Sequence, residues 1–124
     1  MPEFPLTSVT EVRRRLLARM VSFMEGDENE PESECGYTQA DISQCASIID
    51  AYLADIAANT EAGDDQLRLA IQQVVLQLND LNDSCDGWLI ETDEREDLCQ
   101  ILLVAAQECG LTTTEDVTEE WRDW

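Results

Sequence analysis

The sequence predicts an all-α fold, a single-domain bundle of four main helices with a short C-terminal helix, spanning residues 1–124. A chain of 124 residues suits one hydrophobic core. Four segments place apolar residues at three- and four-residue steps, the period of an amphipathic helix. Pro, Gly and alternating β-branched residues are scarce, so strands have little support. Amphipathic helices joined by short connections bury their apolar faces most simply as a bundle.

The first helix is predicted to begin at Ser8, because Ser8 and Glu11 form an S-x-x-E capping box. Gly26 is expected to end it. Its predicted apolar face consists of Val9, Val12, Leu16, Met20 and Phe23, widened by Leu17 and Met24.

Residues 26–37 contain five acids and no apolar period, which predicts an acidic, mobile loop. This loop would separate helix one from a core formed by residues 38–110. Helix one could then pack on either side of that core, or exchange between the protomers of a homodimer.

The second helix is predicted to begin at Thr38 and Asp41 and to fade near Asn59. The third has the most regular spacing and should end among residues 82–87. Its predicted core positions are Leu67, Ile71, Val74, Val75, Leu78 and Leu81.

Thr92 is predicted to cap the fourth helix, with Asp93 and Glu94 favourably placed against the helix dipole. Gly110 should end this helix, and Thr114 should cap a final short one. The predicted apolar face of the fourth helix comprises Leu98, Ile101, Leu102, Ala105 and Cys109.

The side-chain inventory argues against catalysis. The chain has no His and no Lys, which removes the commonest general base and Schiff-base chemistry. Only carboxylates and thiols are left, and no His could activate a thiol. We therefore expect no enzymatic activity and no cofactor.

The chain has five cysteines and no CxxC pair, and its sequence shows neither a leader pattern nor a long apolar run. These observations predict reduced thiols in the cytoplasm, and one oxidised pair is the alternative.

Residues 82–93 lie between two predicted helices, as an EF-hand calcium loop would. Asn82, Ser84 and Asp86 occupy the first, third and fifth positions, where oxygen ligands are expected. The first position is Asn and the twelfth is Asp93, where a bidentate Glu is normal. These departures favour a simple Asp-Gly turn over a metal site, and a calcium site remains the weaker alternative.

Charge is the most unusual property of the sequence: 28 acids face seven arginines, for a net charge of −21. Four arginines, at 13, 14, 15 and 19, form the only basic cluster. Pairing of this cluster with the acidic remainder of the chain is the favoured interpretation, and docking on an anionic partner or membrane is the alternative. Direct nucleic-acid binding is not expected, because phosphate contacts need basic residues on the surface.

The favoured functional hypothesis is an acidic module that binds and inhibits a basic protein, such as a toxin effector or nuclease, as a bacterial immunity protein does. The alternatives are a DNA-mimic inhibitor from a phage or mobile element, a dimeric adaptor without inhibitory role, and a divalent-metal sensor.

Among the aromatic residues, Trp88 is expected to cover the core. The predicted partner-binding residues are Asp80, Asp83, Asp86, Trp88, Glu91, Asp93, Glu94, Asp97, Trp121 and Trp124.

Overall fold

A computed structural model describes residues 4–25, 37–58, 63–112 and 115–124. Within these ranges the chain forms four helices and one 3-10 turn and contains no strand, which confirms the all-α prediction. The elements are α1 (Phe4–Glu25), α2 (Gln39–Ala58), α3 (Asp64–Ser84), α4 (Thr92–Glu108) and the turn Val117–Glu120.

Helix α1 packs mainly against α4 and also against α2 of the same chain. Val9, Val12, Leu16 and Met20 are buried, as the spacing predicted. The predicted start at Ser8 is wrong, because the helix begins four residues earlier at Phe4. Proline is tolerated in a first turn, where backbone N–H groups have no intrahelical acceptor, so Pro5 does not block this start.

Most of the predicted acidic loop, residues 26–36, lies outside the described residues. Tyr37 follows it and is buried, and its hydroxyl donates to the backbone oxygen of Met20 at 3.2 Å. Helix α2 then begins where the sequence predicts, because the Asp41 carboxylate accepts from the Thr38 backbone N–H at 2.9 Å. Its buried Tyr52 donates to the backbone oxygen of Leu102 at 2.7 Å and so joins α2 to α4.

Helix α3 fulfils the prediction for its core face, since every predicted position is buried. It ends in a tight turn in which Asp86 (φ 54°) and Gly87 (φ 79°) both adopt left-handed conformations. The backbone N–H of Gly87 donates to the backbone oxygen of Asn82 at 2.8 Å, and this hydrogen bond closes the turn.

Helix α4 is capped by Glu91 and not, as predicted, by Thr92. The Glu94 carboxylate accepts from the Glu91 backbone N–H at 3.1 Å, the reciprocal contact of a capping box. Thr92 is already the first helical residue. Gly110, with φ 116°, ends the helix as predicted. The backbone N–H of Leu111 donates to the backbone oxygen of Ala106 at 3.0 Å.

The C-terminal segment folds back on α3. The side chain of buried Asn79 donates to the backbone oxygen of Trp121 at 2.8 Å and accepts from the Asp123 N–H at 3.2 Å. The final turn is capped by Asp116, which accepts from the Thr118 N–H at 3.0 Å. The predicted cap, Thr114, lies outside the described residues. No helix in the described part of the chain combines the length and the apolar character needed to cross a bilayer.

Candidate functional site

The arginines of α1 form ion pairs within the chain. Arg13 makes two hydrogen bonds of 2.8 Å to Asp50 on α2, and Arg14 bonds Glu11 on its own helix at 2.6 Å. Arg15 and Arg19 both reach α4, as described next. Pairing of the basic cluster with the acidic remainder of the chain, the favoured interpretation, is confirmed for Arg13, Arg15 and Arg19.

Asp97 is the acid that holds α1 on α4. Its side chain is only 7% exposed, and its two oxygens accept from Arg15 at 2.7 Å and from Arg19 at 2.6 Å. Burial alone would raise its pKa, but the hydrogen bonds and charges of the two arginines outweigh burial and lower the pKa below its ordinary value. Both oxygens of Asp97 are thus used inside the fold, and its predicted contact with a partner stays a prediction.

The calcium alternative gains no support, because two of its proposed ligands, Asn82 and Ser84, make hydrogen bonds within the fold. Asn82 and Ser84 belong to the last turn of α3 rather than to a loop. Asn82 is buried, with its side-chain oxygen accepting from the Ile90 N–H at 2.9 Å, and the Ser84 hydroxyl donates to the Leu81 oxygen at 2.7 Å. Among the described residues no group of three or more His, Cys, Asp or Glu side chains could hold a metal ion.

Exposed aromatic rings lie where the end of α1 meets the segment before α4. Phe23 is 47% exposed and Trp88 is 39% exposed, and their ring centroids are 6.3 Å apart at an interplanar angle of 54°. The ring of Tyr37 stacks on Phe23 at 6.0 Å. The expectation that Trp88 covers the core is wrong, because Leu89 and Ile90 are the buried residues of this segment.

Carboxylates complete this surface. Glu91, Asp93 and Glu94 line the same cavity of about 340 Å³ as the three aromatic rings. We call this cavity the aromatic–acidic groove, and its defining residues are Phe23, Tyr37, Trp88, Glu91, Asp93 and Glu94.

One cation also lies in the aromatic–acidic groove. Arg19 lines it but bonds Asp97, so the three lining carboxylates are in excess of the basic charge there. The hydrogen bond that Arg19 donates to Asp97, followed by the charges of Asp97, Glu94 and Asp93, raises the pKa of Arg19 despite partial burial. The groove therefore has a negative potential beside two exposed ring faces.

The other predicted partner-binding acids lie outside the aromatic–acidic groove. Asp80, Asp83 and Asp86 are exposed at the end of α3 and in the turn after it. Partial burial, and then the charges of Asp83 and Asp80, raise the pKa of Asp123 in the C-terminal segment. These carboxylates therefore form a second acidic surface.

Trp121 and Trp124 do not line the aromatic–acidic groove. Both rings are half-buried and pack against the core. The guanidinium of Arg122 lies 5.8 Å from the centroid of the Trp124 ring. Trp121 and Trp124 thus mainly hold the C-terminal segment against the core.

Two residues of the groove, Phe23 and Tyr37, were not predicted as site residues. The spacing of α1 assigns Phe23 to the buried face. Helix α4 begins only at Thr92, so the last turn of α1 faces the segment before α4 and not a helix. Phe23 therefore stays exposed.

Burial favours the protonated thiol at three of the described cysteines, Cys45, Cys99 and Cys109. Burial raises the pKa of Cys45 to about 12 and is also the largest influence raising those of Cys99 and Cys109. The absence of enzymatic activity stays a prediction.

No family model, curated protein or solved structure matches the chain, so the function is inferred from the site itself.

Proposed function

We propose that the chain is a protein-binding module that holds a basic partner at its aromatic–acidic groove. The observation that carries the proposal is the juxtaposition of two exposed rings, Phe23 and Trp88, with three carboxylates in one cavity. Scattered acids alone are the ordinary surface of an acidic protein. Large exposed aromatic side chains beside them are typical of interface anchors.

The chemistry of the aromatic–acidic groove suits an arginine side chain from the partner. A guanidinium stacks on aromatic faces and donates to carboxylates in two directions, so Phe23 or Trp88 could supply the ring and Asp93 the charge. Each cation–π contact contributes about 0.5–2 kcal/mol, depending on desolvation. The net charge of −21 would steer a basic partner towards the chain from beyond contact distance.

An inhibitory role follows if the partner uses the same basic surface to bind nucleic acid. Covering that surface would neutralise a nuclease or a toxin effector, and a bacterial cytoplasm is the setting we propose for this role. A DNA mimic would present carboxylates across its binding face. Here aromatic rings occupy the groove between the acids, which favours a protein-specific contact.

Replacing Phe23 or Trp88 with alanine should weaken the binding of an oligo-arginine peptide about tenfold, which corresponds to about 1.4 kcal/mol. Both side chains are exposed, so the fold should be retained. Leu76→Ala is the matched control, because Leu76 is also a large apolar side chain, 44% exposed, but lies on α3. Isothermal titration calorimetry measures the three affinities, and equal losses for all three variants would contradict the proposal.

A second comparison separates the local site from the overall charge. Asp93→Asn and Glu119→Gln each remove one negative charge at an exposed position, but only Asp93 lines the groove. Asp93→Asn should weaken peptide binding several-fold more than Glu119→Gln at roughly 50 mM NaCl, and the difference should shrink at roughly 500 mM. Equal effects would indicate non-specific attraction to the whole surface.

A further inference from the structure

The aromatic–acidic groove contains a hydrogen-bond donor as well as rings and carboxylates. Arg19 lines the groove, and its side chain is 32% exposed although Nη1 donates to Asp97 at 2.6 Å. A guanidinium carries five N–H donors on three nitrogens and keeps its charge in proteins. The bond to Asp97 is made by one of these nitrogens, and the exposed part of the group presents N–H donors to the groove.

The groove has two levels along the seam between α1 and α4. At the first level, Arg19 of α1 reaches Asp97 of α4. At the second level, Phe23, one turn later on α1, lies beside Trp88, which precedes α4. The two helices therefore run in opposite directions, and Asp93, one turn before Asp97, belongs to the second level. A donor thus lies one helical turn, about 5.4 Å, from the rings and carboxylate that suit a cation.

The two levels differ in charge. At the second level, Glu91 and Glu94 accept from each other's backbone N–H groups in the capping box of α4, whereas the exposed carboxylate of Asp93 takes no part in it. At the first level, the two arginines that donate to Asp97 exceed its charge by one. The groove is therefore bipolar, with a place for a cation beside a place for a hydrogen-bond acceptor.

We propose that Arg19 is a specificity-determining residue, which donates a hydrogen bond to a main-chain carbonyl oxygen of the partner. That carbonyl belongs to the arginine residue whose guanidinium rests on Phe23 and Trp88. An arginine side chain is about as long as one helical turn, so a single residue spans both levels. This inference rests on the proposed function and narrows its ligand from a cationic group to an arginine within a polypeptide.

The acidic surroundings identify the acceptor as a neutral carbonyl and not a carboxylate. Glu91, Asp93 and Glu94 line the same cavity, and the whole chain has a charge of −21. This field repels an anion. An uncharged amide oxygen is not repelled, and it gains a charge-assisted hydrogen bond from the guanidinium of Arg19.

Two ligands of equal charge test the contact. N-acetyl-arginine N-methylamide carries a guanidinium and main-chain carbonyls, whereas butylguanidinium carries the guanidinium alone. Nuclear magnetic resonance titration of the labelled full chain measures both dissociation constants. The wild type should bind the arginine derivative roughly three- to tenfold more tightly, the usual gain from one hydrogen bond. Equal affinities would overturn the proposal, and this comparison needs no variant.

Arg19→Met separates the contact from the electric field. Removing a positive charge makes the groove more negative, so the affinity for butylguanidinium should rise, but the preference for the arginine derivative should disappear. Arg15→Met is the matched control, because Arg15 also donates to Asp97 but lies outside the residues that line the groove. It should retain the preference, and circular dichroism verifies that both variants fold. A preference that survives Arg19→Met, or that Arg15→Met removes as completely, would contradict the role of Arg19.

The same titrations separate this inference from the proposed function. If the signals of Phe23 and Trp88 respond to neither ligand, the groove is not a cation site and both proposals are wrong. If those signals respond to both ligands with equal affinity, the groove binds cations as proposed, and only the contact with Arg19 is wrong.

Discussion

Replacing Leu16 with alanine should lower the free energy of unfolding by about 2–5 kcal/mol. Leu16 is fully buried in α1, which packs on both α4 and α2. Truncating its side chain removes buried apolar contacts and leaves a cavity that the surrounding helices can fill only in part. Because most small domains are stable by only about 5–15 kcal/mol, this loss is a large share of the total.

Leu17→Ala is the matched control, because the neighbouring leucine is only half-buried and packs at the edge of the core. Its loss should be about 1 kcal/mol or less, the usual effect of an edge position. Urea denaturation followed by far-ultraviolet circular dichroism measures both values. Equal losses for the two variants would mean that α1 does not pack on the core through the face that contains Leu16.

Asp97→Asn should lower the free energy of unfolding by about 1.5–3 kcal/mol, the usual value for hydrogen bonds to charged groups. The carboxylate is buried, whereas Arg15 is 54% exposed and Arg19 is 32% exposed, so the released arginines can recover water. The loss of unfolding free energy should therefore be smaller than the loss caused by leaving a fully buried charge without a partner. Asp50→Asn, at an exposed pair with Arg13, should cost at most about 1 kcal/mol.

The effect of Asp97→Asn should depend on pH in a defined direction. The two arginines hold the pKa of Asp97 below its ordinary value in the folded state. The stabilisation is therefore fully present above the ordinary Asp pKa and is lost as the pH falls through the lower folded-state value. The difference in stability between wild type and Asp97→Asn should be constant near neutral pH and shrink below about pH 4. A difference that grows on acidification would contradict the assignment.

The sequence predicts well those features that depend on local periodicity. Helix α3 shows this, because each of its predicted core positions is buried and Gly87 lies in the turn that follows. Helix boundaries are predicted less well. Ser8 and Thr92 both look like caps, but one lies inside a longer helix and Glu91 replaces the other.

The candidate site could be predicted only in part, because it depends on contacts between distant segments. Trp88, Glu91, Asp93 and Glu94 are close in sequence and were predicted together, whereas Phe23 comes from another helix. The internal ion pairs of Asp97 could not be predicted either. Asp97 is one acid among many in the sequence, and only the packing of α1 on α4 brings Arg15 and Arg19 to it.

Chemical-shift mapping tests the proposed recognition of cationic side chains most directly. An oligo-arginine peptide is titrated into isotopically labelled protein, and the amide and aromatic signals are followed by nuclear magnetic resonance. We predict that the largest changes fall on Phe23, Tyr37 and residues 88–94 and saturate together. Changes of equal size over every acidic segment, including Asp80, Asp83 and the C-terminal acids, would show that the peptide binds the charge of the whole chain and not the aromatic–acidic groove.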